Sequence, residues 1–373
     1  MSEILVAGAR GFVGRNLCAV LRRMESVQLM EIDQDSTRED LEYFLSRAEV
    51  FFHLAGVNRP QQEMQFFTGN TALTEDYCTI LKRVGRAPKI VFSSSIQAGQ
   101  DNPYGMSKRL AEETLRTFAN KMGAECIVYR LKNLFGKWCR PNYNSVTATF
   151  CHNIAHGLPV HISNPARELE LTYIDEVISV FVAELQPGRP GFRFAPPLPC
   201  TRITLGELAE KIQAFRNSRS SLRFPDLRDH FDRALYATYL SYLDREQFSY
   251  SLEVQSDQRG SLAEFLKSSS LGQLFVSSTN PGVTRGNHYH HTKAEKFLVL
   301  HGTALIRLRQ IESEEILEYR LCGEDFHVVD IPPGYTHTIE NIGEDDLVTL
   351  FWASEVFDPD YPDTYWEPVQ KVN

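Results

Sequence analysis

The chain has 373 residues, more than the ~250–300 over which a single hydrophobic core grows, so at least two domains are expected. Its 42% hydrophobic and 23% charged residues are those of a globular protein and exclude a fibrous or disordered chain. A formal net charge of −9 argues against a nucleic-acid partner or an anionic membrane surface, both of which need clustered Lys and Arg, and leaves any acidic ligand to be met by local cations.

Seven cysteines, an odd number with no Cys-x-x-Cys pair, suggest reduced thiols rather than a disulfide framework or a zinc ribbon. Met1 leads into an apolar strand with no basic region or cleavage site, and no stretch approaches the ~20 apolar residues of a membrane span, so the cytoplasm is the expected location.

In chain order, Ile4-Leu5-Val6-Ala7 predicts a buried strand, followed by a Gly-rich turn and a helix over 16–23. Strands are expected over 28–32, 50–54, 89–92 and 126–131, with helices over 39–46, 73–84 and 104–120 between them. This alternation predicts a doubly wound α/β domain with a parallel sheet. The segment 186–200, rich in Pro and Gly, is expected to be a loop of the same domain, and Thr204 with Glu207 three residues on caps a helix to Phe215. Near 245–260 the helical period gives way to short alternating runs (274–276, 296–300, 304–308, 328–331, 347–351), which predict an all-β barrel or jelly roll. The domains expected are therefore 1–245 and 246–373.

In the first domain, Gly8-Ala9-Arg10-Gly11-Phe12-Val13-Gly14 lies between strand and helix, where glycines let the backbone approach a dinucleotide pyrophosphate and the helix N-terminus supplies free N–H groups. Asp33, 19 residues after Gly14, suits a ribose 2′-OH and repels a 2′-phosphate, whereas Arg10 would partner that phosphate, so both NADPH and NADH stay open. Tyr104 and Lys108, at i and i+4, share a helix face, where the ammonium would lower the phenol pKa. Tyr104 can then protonate a carbonyl oxygen receiving hydride, with a serine from Ser93-Ser94-Ser95 holding the same oxygen. Lys137, Arg140 and Arg167 are candidate partners for a substrate diphosphate.

These motifs resemble the extended short-chain dehydrogenase/reductase family, whose members mostly act on nucleotide sugars and bind NAD(P). The resemblance gives the serine role to Ser95, with Ser94 the alternative one residue away. It places His53-Leu54-Ala55-Gly56 beside the adenosine ribose and makes Asn133 a substrate-side residue.

In the second domain, Gly282-x5-His288-x-His290-x4-Glu295-x6-Gly302 precedes Pro332-Pro333-Gly334-x2-His337-x3-Asn341. His288 and His290, two apart on a strand, face one side and can converge with Glu295 and His337 on Zn²⁺ or another first-row divalent metal. These are the two motifs of the cupin superfamily, except that Phe326 stands where the second has Gly. Asp257-x-Arg259-Gly260-Ser261-x-x-Glu264 and Arg285-Gly286-x-His288 also resemble deoxysugar epimerases of the cupin class.

Nearly the whole chain, through the order of its domains, His53 to Pro60, Ser93 to Lys108, Asn133 to Cys139 and Arg285 to Val299, is similar to the bifunctional capsular-polysaccharide and O-antigen enzymes on the route to UDP-N-acetyl-L-fucosamine. That resemblance implies a zinc-containing homodimer. Its cupin would epimerise C3 of a UDP-2-acetamido-2,6-dideoxy-4-hexulose, and its reductase would reduce the C4 ketone with NADPH to the L-talo sugar. Lys293 or Lys296 would move the C3 proton. A competing expectation keeps the reductase and makes the cupin a metal-stabilised dimerisation or sugar-binding module.

Overall fold

The computed structural model describes residues 1–371, which fall into two compact units: Met1–Gln213 with Leu227–Leu243, and Ala214–Asp226 with Asp244 onward.

The first unit alternates β1 (Ser2–Ala7), α1 (Phe12–Leu21), β2 (Val27–Ile32), α2 (Arg38–Arg47), β3 (Val50–His53), α3 (Met64–Phe66), α4 (Leu73–Arg83), β4 (Lys89–Ser95), α5 (Pro103–Met122) and β5 (Glu125–Leu131). It continues with β6 (Asn133–Phe135), α6 (Val146–Ala155), β7 (Glu168–Tyr173), α7 (Ile174–Ala183), β8 (Gly191–Phe194), β9 (Thr201–Thr204), α8 (Leu205–Ser221), whose residues from Ala214 onward belong to the second unit, and α9 (His230–Leu240). The main sheet is wholly parallel in the order β2-β1-β3-β4-β5-β8. Its central strands β1, β3 and β4 are covered on both faces, which is why they read as unbroken apolar runs: Leu5, Phe51 and Phe92 enter one core cluster, Ile4, Phe52 and Val91 the other.

Two expectations change here. The segment expected as a loop contains β8, which pairs with β5 from Glu125↔Gly191 to Val128↔Phe194 and completes the sheet. Four residues between Pro190 and the Pro196-Pro197 pair carry too little pattern to register as a strand. The first helix begins at Phe12, four residues earlier than expected, with Gly11 as its N-cap, so the Gly-rich turn runs directly into its first turn.

The second unit is antiparallel: β10 (Val254–Asp257), β11 (Gly260–Ser268), β12 (Gly272–Thr279), β13 (Thr284–Tyr289), β14 (Glu295–His301), β15 (Thr303–Gln310), β16 (Ile316–Cys322), β17 (Val328–Ile331), β18 (Tyr335–Asn341), β19 (Leu347–Ala353) and β20 (Tyr365–Trp366). These form a six-stranded sheet β10-β11-β12-β19-β14-β17 and a five-stranded sheet β16-β15-β18-β13-β20. Phe297, Ile306, Ile339 and Phe351 belong to the core of this jelly roll. Phe326, standing where the cupin pattern has Gly, adopts φ +46, so the left-handed turn is kept despite its side chain.

Candidate functional site

The first site grows from the C-terminal ends of β1, β3 and β4. Chain order reverses across β1 and β3, the switch point at which doubly wound sheets leave a crevice for ligands. Gly8 (φ +78) ends β1, and a Cβ there would sit 2.8 Å from Ala55 backbone atoms; one on Gly14 would collide with the Gly8 carbonyl. The Gly8–Gly14 turn therefore packs against Leu54-Ala55-Gly56, and Leu54 N–H donates to Ala7 O at 3.0 Å. Gly11, Phe12 and Val13 form the cap and first turn of α1 beside it.

Asp33 lies at the next strand end and accepts from Arg10 N–H (2.8 Å) and Gln34 N–H (2.9 Å). The Arg10 guanidinium spans Asp33 (3.7 Å) and Asp35, whose Oδ2 accepts from Nη1 at 3.0 Å. Asp35, which sequence reasoning did not single out, thus competes for the cation that would meet a 2′-phosphate.

Helix α5 starts with Asn102 capping Gly105 N–H (2.8 Å) and Pro103 in its first turn. This start places Tyr104 and Lys108 on successive turns. Lys108 is buried; its ammonium donates to Ser93 O (3.1 Å) and stands 4.9 Å from the Phe92 ring centre. Burial pulls its pKa down to about 8, with Glu112 opposing. The expectation that Lys108 lowers the Tyr104 phenol needs correction: burial raises that pKa, and the hydroxyl of Ser95 is the group that pulls it back. The two serines at the end of β4 differ in direction. Ser94 is buried and donates to Glu112 Oε1 (2.5 Å), which also receives Arg130, whereas Ser95 shares the side of Tyr104.

A cavity of about 540 Å³ opens beside Ser95, bounded by Ile96, Arg130, Lys132, Thr172, Phe194 and the Pro196-Pro197 turn. None of the four expected substrate residues lines it. Asn133 Nδ2 reaches Glu170 O (3.4 Å), Lys137 pairs with Asp175 (2.7 Å), Arg140 stacks on Tyr143 (5.3 Å), and Arg167 is exposed. The cations that do line it are Arg130, near the end of β5, and Lys132, just past it; two basic residues spaced by one where an apolar strand ends were the available signal.

In the second unit, β13 and β18 pair His288 directly with His337, while Glu295 opens β14 in the other sheet and His290 follows β13. Ligand atoms of these four residues lie within 4.8 Å of one another. Nε2 of His290 and His337 stand 3.4 and 3.3 Å from Glu295 Oε2, yet neither nitrogen makes a hydrogen bond, although both are buried. Burial pushes His288 down to about 4, helped by the neighbouring His337 and His290. Glu295 is pushed up by burial, but the two facing imidazoles outweigh this and hold it well below the carboxylate range. A neutral imidazole, an ionised carboxylate and two orphaned ring nitrogens fit a divalent cation.

His288, Glu295 and His337 line a cavity of about 230 Å³ together with Ser277, Arg259, Arg285 and the rings of Phe275, Phe297 and Phe351. Neither expected base reaches it. Lys296 follows Glu295, so it points to the opposite face of β14, where it bonds Asp330, and Lys293 Nζ donates to Pro362 O (3.1 Å).

Residues 4–193 match the NAD dependent epimerase/dehydratase family, and residues 255–365 match the polysaccharide biosynthesis C-terminal domain. The chain is 44% identical over 363 residues to UDP-2-acetamido-2,6-beta-L-arabino-hexul-4-ose reductase of Pseudomonas aeruginosa, covering 97% of this chain and 98% of that protein. Among solved structures, the capsular polysaccharide assembling protein CapF from Staphylococcus aureus superimposes with a TM-score of 0.91 at 44% identity, over 98% of this chain and all of that one. CapF with the inhibitor 3-isopropenyl-tropolone superimposes at 0.87 and 40% identity, over 98% and 100%. No described helix is long and apolar enough to cross a membrane. With a parallel-sheet reductase unit and an antiparallel partner unit matched over nearly their whole length, the chain belongs to the CapF-like family of nucleotide-sugar 4-ketose reductases within the NAD dependent epimerase/dehydratase family.

Proposed function

We propose that the chain carries out two consecutive reactions on one sugar: epimerisation at C3 of a UDP-2-acetamido-2,6-dideoxy-4-hexulose in the cupin, then reduction of its C4 ketone to UDP-2-acetamido-2,6-dideoxy-L-talose. The observation that carries this reading is Ser95, Tyr104 and Lys108 gathered beside a Gly-rich turn, in a chain similar over its length to a hexul-4-ose reductase.

The Gly8–Gly14 turn, Asp33 and Leu54-Ala55-Gly56 would hold NADPH or NADH, which would supply the hydride. Tyr104 gives its proton to the C4 oxygen as hydride reaches C4, so the ketone becomes a secondary alcohol. Ser95 holds that oxygen, and buried Lys108 keeps positive charge near the phenol. Burial that raises the Tyr104 pKa keeps the donor protonated at neutral pH. Arg130 and Lys132 join Asn133, Lys137, Arg140 and Arg167 as candidates for the nucleotide diphosphate.

In the cupin, His288, His290, Glu295 and His337 would hold Zn²⁺ or another first-row divalent ion, which would supply Lewis acidity to a carbonyl oxygen. Tropolones chelate metals through adjacent oxygens, so the inhibitor bound by CapF supports this assignment. The C4 carbonyl acidifies the C3–H that epimerisation must move. Lys293 and Lys296 would have to leave Pro362 and Asp330 to serve as the base. We further assign the reductase to 1–245, the cupin to 246–373, the assembly to a homodimer and the location to the cytoplasm.

The test is incubation of the full chain with NADPH and a UDP-4-keto-6-deoxy-N-acetylhexosamine in D₂O. Deuterium at C3 of a reduced product is expected. Cofactor consumption with no C3 deuterium would leave a reductase whose cupin is only a metal-stabilised dimerisation or sugar-binding module.

A further inference from the structure

Three of the proposed metal ligands lie on strands and His290 directly follows one, and residues of the chain's C-terminal segment bond to the backbone around them. β20 lies along β13, pairing Trp366 with His288. Between Gly286 and His288 the β13–β18 register shifts at Asn287 (φ +61), a bulge that re-aims the strand. Glu367 N–H donates to Asn287 O (2.9 Å), and Val369 N–H to Asn287 Oδ1 (3.1 Å). Most concentrated is Asp363, itself at φ +39. Its carboxylate accepts from the backbone N–H groups of His291 (2.9 Å), Thr292 (3.0 Å) and Lys293 (3.0 Å), and from the Thr292 hydroxyl (3.0 Å). Its backbone carbonyl is 2.5 Å from His290 Nδ1, which leaves Nε2 facing Glu295.

We propose that Asp363 is a positioning residue for the metal centre: its carbonyl fixes the His290 tautomer and its carboxylate gathers the 291–293 turn between His290 and Glu295. A carbonyl can only accept, so His290 must carry its proton on Nδ1 and present a lone pair at Nε2. The carboxylate holds the intervening turn at the spacing that lets His290 and Glu295 meet. Seating of the C-terminal segment and assembly of the four-ligand cluster are then one event, joined by a residue about 70 positions from the ligands it serves. This rests on the four residues binding a metal, so the experiment separates the two claims.

The full chain, stripped by a chelator, is titrated with Zn²⁺ against a chromogenic competitor, and the Co²⁺-loaded protein is examined by visible absorption. Asp363→Gly tolerates the left-handed backbone and removes the carboxylate. It should weaken Zn²⁺ binding about tenfold, the lower end of what losing an outer partner of a ligand costs, because the carbonyl facing His290 Nδ1 remains, and it should change the Co²⁺ bands. Asp363→Asn, which keeps one acceptor oxygen, should fall between this variant and the wild type, and it decides the matter if the glycine variant does not fold. Tyr361→Ala, an exposed change on the same segment, should match the wild type. Unchanged affinity and spectrum in both Asp363 variants would overturn the proposal. So would an affinity loss matched by an equally lowered melting temperature of the metal-free protein, which marks general stabilisation. A wild-type protein that binds no metal at the cupin would overturn the metal assignment itself.

Discussion

At the scale of single residues, the reductase site is governed by two opposed effects of burial. Tyr104 is kept protonated and Lys108 is made easier to deprotonate, falling to about 8 from 10.5. The ammonium is harder to keep charged in the folded chain. Its cost to stability is therefore full below pH 8 and fades as pH rises from about 8 towards 10.5. Reduction should fall along an alkaline limb near pH 8, and Lys108→Met should be slow at every pH and lack that limb. Tyr104→Phe should reduce cofactor oxidation about 10²–10⁴-fold, the usual contribution of a positioned acid, while C3 exchange continues. Near-normal reduction in that variant would remove Tyr104 from the mechanism. His53 adds no limb between pH 5 and 8: burial takes it down to about 3, and Thr74 holds its Nε2 at 2.8 Å. A second residue-scale prediction concerns Arg10, shared between Asp33 and Asp35. Asp33→Ala should shift the kcat/KM ratio towards NADPH by about tenfold, roughly 1.4 kcal/mol of relieved like-charge repulsion, and Arg10→Ala should shift it the other way. Strong NADPH selectivity in the unmodified protein would show that Asp33 does not face the ribose.

At the scale of elements, the Gly-rich turn and α1 are one object, because Gly14 lies inside the helix where a Cβ would collide with the Gly8 carbonyl. Gly14→Ala should cost about 1–3 kcal/mol through overpacking and weaken cofactor binding; wild-type melting and NADPH affinity together would show that the turn has room. Legibility in the sequence followed burial. β1, β3, β4 and β5 are covered on both faces, so apolar runs announced them, and the Tyr104–Lys108 spacing needed only the helix period. β13 shows no hydrophobic alternation, because Arg285, Gly286 and His288 of Thr-Arg-Gly-Asn-His-Tyr turn polar groups into the barrel cavity, and only the His-x-His spacing marked it as a strand. The π-helical turn over Phe67–Ala72 was unreadable. It buries Asn70, which bonds both backbone groups of Val57 and the Ser107 hydroxyl, and so ties the turn after β3 to the helix of Tyr104. Asp363 and Asp35 escaped notice because each acts through a partner that only the fold brings near.

For the whole molecule, the two chemistries are assigned to units with separate cores, so they should be separable by mutation. The buried His337 sits opposite His288, and replacing either with Ala removes one of four converging ligand atoms. If the metal serves catalysis, the variant should lose deuterium exchange at C3 by at least about 10²-fold. Its reductase should still consume cofactor on a 4-ketosugar supplied already epimerised. If the metal holds the barrel together, the variant should instead unfold or dissociate, because bound metal contributes its binding free energy to folding. Cavity creation alone would lower the melting temperature without touching reduction, so melting, sizing and both assays belong in one experiment, beside wild-type protein treated with a chelator. Full C3 exchange in a folded variant shown to be free of metal would defeat the catalytic-metal assignment. The epimerase would then have to work by acid–base chemistry alone, among the imidazoles, the carboxylate and the two arginines that line the barrel cavity.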